Sequence, residues 1–324
     1  MRALTSIWSA GILFSILILL FGWSFSRECV PRGEVILFAR RGQRPLDDSV
    51  YVVSVDGKCN KEIYKAEARR SFSGASARFL SELIVLNTLR TEESQVRVSE
   101  EVLLHRPKTG QWDMLKLASS RSSMASLSPD GSKIVYGTAS FAGVSPSVRI
   151  VELGSGTEST ISIPDGTMPS NGWIQFPVWR SDGQAVLALL LSRKGSAALS
   201  RLFVISLQTH SVTEYLNDES GISAACFSPT NGNILLLTPR GLELLDTENG
   251  AISLITPRSM FLNGRYSGGS LAWSRKSGLI TLPLASGNSD EIWVLKGDGS
   301  NPKVIFRADN ARLTSVSFAS GMDN

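Results

Sequence analysis

Only two histidines and three cysteines occur in the 324 residues, and their scarcity removes several chemistries together. No Cys or His cluster has the spacing of a zinc site. No G-x-S-x-G elbow is present to seat a nucleophilic serine, and neither standard Gly-rich phosphate loop occurs. His105 follows Leu103-Leu104 and His210 sits in Gln208-Thr209-His210-Ser211. Both read as surface or turn residues, and a Ser-His-Asp triad is not expected. Charge of one sign is also missing as a run. The formal net charge is +4 with Lys and Arg scattered along the chain, which gives a nucleic-acid partner little support. Acidic residues do occur as adjacent pairs, Asp47-Asp48, Glu92-Glu93 and Glu100-Glu101. Neighbours in extended chain point to opposite sides, so each pair reads as a solvated loop and not as an acid/base couple. No catalytic, cofactor or metal residue is assigned, and no cofactor is expected.

Ile7 to Trp23 form an almost uninterrupted apolar run preceded by Arg2. Its length lies between a secretory h-region and a short membrane-spanning helix. Ser24 and Ser26 supply small residues at the −3 and −1 positions of a cleavage site before Arg27. Residues 1–26 are therefore read as either a removable signal peptide or a hydrophobic helix anchoring the chain in a membrane. Arg2 on one flank is matched by Arg27 and Arg32 on the other, so charge bias does not orient the segment. Cys29 and Cys59 flank the first strand pair and are placed to close a disulfide in an oxidising compartment, with free structural thiols as the alternative. Cys226, between Ala225 and Phe227, reads as a buried thiol.

The remainder is built on a repeat. Ser126-Leu127-Ser128-Pro129-Asp130-Gly131 leads into Lys133-Ile134-Val135-Tyr136, and Val178-Trp179-Arg180-Ser181-Asp182-Gly183 leads into Ala185-Val186-Leu187-Ala188. Phe227-Ser228-Pro229 passes through Asn231-Gly232 into Ile234 to Leu237. Trp273-Ser274 passes through Ser277-Gly278 into Leu279 to Leu282. With Leu127, Trp179, Phe227, Trp273 and Phe318 taken as equivalent, the successive separations are 52, 48, 46 and 45 residues, a period that belongs to propeller blades. Pro pre-sets φ, Asp bonds nearby backbone N–H groups and Gly accepts positive φ, so a tight reversal is expected at each motif. The apolar runs that follow are continuous and not alternating, as in strands covered on both faces. A second hairpin completes each unit, with turns at Asp56-Gly57, Gly154, Asn249-Gly250 and Gly297, giving four strands per unit.

Two units are less plainly marked. Phe72-Ser73-Gly74 is read as the turn of the second unit, before a strand from Phe79 to Leu86. The first unit starts at Val35-Ile36-Leu37-Phe38 without an inner strand. Leu313 to Phe318 looks like an inner strand with no blade after it. Pairing the two would close the ring and leave it without free edges between its ends.

These motifs resemble the WD40-like repeat of TolB-type propellers and of the propellers that cover prolyl oligopeptidases. The resemblance spans residues 30–320. It implies an all-β fold: a single six-bladed β-propeller of four-stranded antiparallel blades, closed by the C-terminal strand and preceded by the N-terminal hydrophobic helix. The recurrent Gly-His and Trp-Asp pairs that close the blades of true WD40 repeats are missing: Gly-His does not occur, and Trp-Asp occurs once, at Trp112-Asp113. Within this sequence neither a TolB-like N-terminal α/β domain nor a following hydrolase domain is expected.

Propeller topology puts the turns inside the two hairpins of each unit on one face, and the links between hairpins and between blades on the other. The second face carries the longer loops. Among them, Thr256 to Ser270 bears Arg258, Met260, Phe261, Arg265 and Tyr266 and is the expected partner-binding loop. The expectation is a non-catalytic protein-binding scaffold of the bacterial cell envelope. It would lie outside the cytoplasm and engage a protein partner through a propeller face or channel. The alternative is a hydrolase or lyase acting on a carbohydrate or peptide in the channel.

Overall fold

The tight reversals form where the motifs place them. In Ser128-Pro129-Asp130-Gly131 the Ser128 N–H bonds the Lys133 carbonyl at 2.8 Å and Gly131 N–H returns to the Ser128 carbonyl at 2.9 Å. Asp130 accepts the Ser128 hydroxyl and the Ser132 N–H, the latter at 3.0 Å. Gly131 sits at φ +78°, which a glycine adopts without steric penalty. The same closing bond recurs from Arg180 to Ala185 (2.8 Å), Ser228 to Asn233 (2.6 Å) and Ser274 to Leu279 (2.8 Å).

In the computed structural model, the described residues are 29–30, 32–43, 47–66, 70–91, 98–115, 117, 124–140, 145–164, 172–194, 197–218, 221–261, 265–266 and 270–321. The hydrophobic run Ile7 to Trp23 and the pair Glu92-Glu93 lie outside them. Among the described residues no helix is long and apolar enough to cross a membrane.

Antiparallel hairpins assemble into six sheets. Blade 1 consists, from the inside outwards, of Arg312–Ser320, Glu34–Arg41, Ser49–Ser54 and Asn60–Lys65. Blade 2 is Arg70–Ala77, Ile84–Thr91, Val98–Arg106 and Gln111–Leu115; blade 3 is Ser126–Leu127, Lys133–Gly137, Ser147–Glu152 and Glu158–Ser162. Blade 4 is Trp173–Trp179, Ala185–Lys194, Ala197–Ser206 and Val212–Asp218; blade 5 is Ala224–Phe227, Ile234–Thr238, Gly241–Leu245 and Ile252–Pro257. In blade 6 two short pieces, Arg265–Tyr266 and Ala272–Trp273, share the inner position on Leu279–Ser286, followed by Ser289–Lys296 and Lys303–Asp309. The ring closes as expected. Ile36 pairs with Phe318 and Phe38 with Val316, so one blade takes strands from both ends of the chain.

Packing explains why the second strands carry continuous apolar runs, as at 35–39, 134–136 and 234–237. Val35, Leu37 and Ala39 enter the cluster shared with blade 2, while Ile36 and Phe38 enter the cluster shared with blade 6. Side chains alternate across a strand, so a strand wedged between two neighbours meets an apolar cluster on both of its faces. Each interface between adjacent blades has its own buried cluster.

Blade 2 corrects the sequence expectation. Phe72-Ser73-Gly74 is not a turn but the middle of the inner strand, at a register shift. The reversal lies at 78–83 and the outgoing strand begins at Ile84 instead of Phe79. The cause is the closing strand. Leu80 N–H bonds the Ser320 carbonyl at 3.0 Å, and Ser320 N–H bonds the Arg78 carbonyl at 2.9 Å. That turn is shaped by a long-range contact and needs no Pro-Asp-Gly.

Candidate binding channel

Six inner strands side by side leave a hole, and their sequences decide its chemistry. A cavity of about 540 Å³ is lined by their later halves and by the first turns, including Arg78, Pro129, Ser181, Pro229, Arg275 and Lys276. It therefore opens on the short-turn face. Hydroxyls in the wall are already engaged between blades. Ser315 Oγ accepts Ala75 N–H at 3.2 Å, Ser317 Oγ donates to the Ala75 carbonyl at 3.1 Å, and Ser76 Oγ accepts Leu127 N–H at 3.3 Å. Ser270 Oγ both accepts Val316 N–H at 2.9 Å and donates to its carbonyl at 2.7 Å. Trp179 Nε1 donates to the Ser126 carbonyl at 3.0 Å. These bonds hold the inner ring together and leave the wall with an apolar and hydroxyl character.

Charge is confined to the mouth. Arg275 and Lys276 are exposed there. Arg78 donates to the Asp130 carbonyl at 3.3 Å and lies 4.9 Å over the Phe79 ring. Among the described residues the one carboxylate lining this cavity is Glu34. Its Oε1 accepts the Ser274 hydroxyl, while its Oε2 is buried without a hydrogen-bond partner. Asp130, just outside, is held down to about 2 by the hydroxyls of Ser128 and then Ser132.

A second cavity, of about 370 Å³, lies toward the opposite face, where Trp173 begins its inner strand and Leu89 approaches its outer loop. Asn87, Met124 and Phe176 line both cavities and so separate them. Phe176 sits at φ +40° within a register shift between Gln175 and Val178. A bulky residue in that conformation, with Pro177 next, carries strain of about 1–3 kcal/mol. Nothing in the sequence around Gln175-Phe176-Pro177 announced it.

The loop singled out by composition lies on the face opposite the wide mouth. Arg258 and Met260 occupy the 3-10 turn Arg258–Phe261 and are exposed, Met260 at 43%. Phe261 is 3% exposed and meets the Trp293 ring edge-on at 5.9 Å, so its ring anchors the loop in the core between blades 5 and 6. Arg265 and Tyr266 pair with Ala285 and Leu284. Asp47 is exposed, but its neighbour Asp48 is 2% exposed and not solvated as expected. His210 lies in an exposed turn at φ +53°. His105 does more than expected. Its Nδ1 bonds the Tyr64 hydroxyl of blade 1, and its ring stacks on Trp112 at 4.2 Å. The three residues come from two blades, so no local pattern joins them. Cys29 and Cys59 are disulfide-bonded, and Cys226 is a free, buried thiol.

Six four-stranded blades around a lined channel, with one blade shared between the chain ends, define a β-propeller. More narrowly, its fold is similar to the six-bladed propeller of TolB structures. TolB from Acinetobacter baumannii superposes with a TM-score of 0.62 at 16% identity, over 93% of this chain and 70% of that one. A structure described as a TolB from Agrobacterium tumefaciens gives 0.59 at 9% identity, over 90% and 99%. A chain of the nidogen/laminin complex gives 0.63 at 9% identity, over 88% and 98%. Likeness at such identities is likeness of fold. No family model matches the sequence, and no curated protein matches it.

Proposed function

We propose that the chain is a non-catalytic protein-binding scaffold of the bacterial cell envelope that engages its partner at the channel mouth. The carrying observation is the cavity of about 540 Å³, with its internally bonded hydroxyls and its exposed cations at the rim. Such a wall can bury an inserted apolar group, while Arg275 and Lys276 offer attraction at the entrance. The TolB structures share this architecture, and one similar chain was solved within a two-protein complex. Hydrolysis or elimination in the channel needs several acids or a tyrosine to converge, and the described lining of the cavity holds one carboxylate, Glu34, and no tyrosine. Arg258 and Met260 offer a second contact on the other rim.

We place the protein outside the cytoplasm, directed or anchored there by residues 1–26. The oxidised state of Cys29 and Cys59 supports this compartment. The test is co-purification from membrane extracts, coupled to a mass measurement of the mature N-terminus. A stoichiometric protein partner lost on reversing Arg275 and Lys276 to Glu is the expected result. Recovery of the propeller alone, or of a partner indifferent to those reversals and to Arg258→Glu, would count against the reading. A mature mass starting at Arg27 would assign the hydrophobic run as a removed signal.

A further inference from the structure

Phe176 combines three properties that a packing residue does not need together. Its backbone is at φ +40°, whereas the other described non-glycine residues with positive φ, His210, Asn301 and Asn310, lie in turns. Its ring belongs to none of the clusters between blades, although Ile174 and Trp179 on the same strand do. It also lines the large cavity, the second cavity and a small gap beside Leu187 and Ala225 at the seam of blades 4 and 5. A strained aromatic side chain therefore stands in the channel without the core packing that would ordinarily repay the strain.

The rest of the partition divides into fixed and movable parts. Asn87 is fixed, because its side chain bonds both Ala125 N–H (2.7 Å) and the Ala125 carbonyl (3.0 Å). Met124 is movable. Its sulfur lies 2.3 Å from where a Cβ on Gly74 would stand, so the glycine alone makes room for it. Methionine adapts its shape to its neighbours at little cost. We propose that Phe176 is a displaceable plug occupying a subsite for an apolar group the size of an aromatic ring, and that it decides what enters the deep channel. The class of group follows from the wall. Ala75, Leu127, Val178 and Leu271 line the same cavity as Phe176, the hydroxyls of Ser76, Ser270, Ser315 and Ser317 are bonded between blades, and the charged residues remain at the mouth. An ion carried past the mouth would lose its hydration without finding a partner.

The inference rests on reading the channel as a binding site, and its test separates the two. Phe176→Ala and Phe176→Gly are compared with the wild-type chain by thermal melting and by calorimetric titration with indole, a small apolar aromatic probe. Both variants should fold, with the glycine variant melting no lower than the alanine variant because glycine accepts positive φ. Both should bind indole roughly tenfold or more tightly than the wild type does, since a vacated apolar cavity takes such guests. Truncations that fail to fold, or that melt far lower and bind no indole, would show an ordinary packing residue and overturn the proposal. Indole should also compete with a partner captured by the wild type. A captured partner indifferent to indole and to both variants refutes the plug alone. Absence of any partner refutes the scaffold reading while the indole titration still decides the plug.

Discussion

At Asp48 a carboxylate is 2% exposed, with Gly42 N–H on Oδ1 at 2.9 Å and the Arg41 guanidinium only as near as 3.9 Å. Burial raises its pKa above the ordinary 3.8, and the Gly42 bond and Arg41 offset only part of this. A carboxyl raised on folding stabilises the fold fully below its unfolded value, and that contribution is lost as pH rises through the folded value. Asp48→Asn, which keeps an acceptor for Gly42, should therefore melt with the wild type below pH 3.8 and above it at neutral pH. A variant that melts lower at neutral pH contradicts this reading. Cysteine chemistry gives a second outcome. Cys226 is fully enclosed, and burial pushes its thiol up, away from the reactive thiolate. Alkylation followed by mass spectrometry should find no adduct on the folded chain, one on the unfolded unreduced chain, and three after reduction. The sequence context announced the buried thiol at Cys226 but not the burial of Asp48, because alternation tells that two neighbours diverge without telling which one meets the core.

Turns are the elements most openly written in the chain, since Ser-Pro-Asp-Gly acts within its own few residues and its bonds are local. Their tolerance to change nevertheless depends on what lies beneath. Gly131 and Gly299 both have positive φ, +78° and +81°, yet a Cβ on Gly131 meets open space while one on Gly299 would lie 2.2 Å from Thr256 Oγ1 and 2.9 Å from the Ile255 carbonyl. Gly131→Ala should cost about 1 kcal/mol through backbone strain alone. Gly299→Ala should cost at least about 2 kcal/mol more, because the turn of blade 6 must lift from the outer strand of blade 5. Urea denaturation of the two variants measures the difference, and equal losses would mean that the turn does not bear on its neighbour. The blade 2 turn was misread for the complementary reason: its geometry comes from Ser320 at the other end of the chain, and no nearby residue encodes that. Phe176 was illegible too, since its conformation depends on a register shift and on a channel assembled from other blades.

Over the whole molecule the period of the repeat was enough to count blades and to pair Ile36 with Phe318, because a toroid admits few ways to use an unpartnered strand at each end. What the period does not carry is the direction in which the channel widens. Composition drew attention to the long-loop face, whereas the larger cavity opens among the short turns, where Ser and Ala side chains on the inner strands leave space. Closure also makes the C-terminal strand a core element despite its position. Leu313 is fully buried in the cluster between blades 6 and 1, and its N–H bonds Asp290 Oδ2 of blade 6 at 2.7 Å. Leu313→Ala should therefore cost about 2–5 kcal/mol, as a central core leucine does. Deleting Arg312 onwards should go further. It strips the inner strand from blade 1, opens the clusters on both of its sides and leaves the edge Glu34–Arg41 unpaired. The expected outcome is loss of a cooperative melting transition by circular dichroism, with aggregation. A deletion that kept a sharp transition would mean that five blades and an open first blade hold the fold unaided, and that ring closure is not what stabilises this propeller.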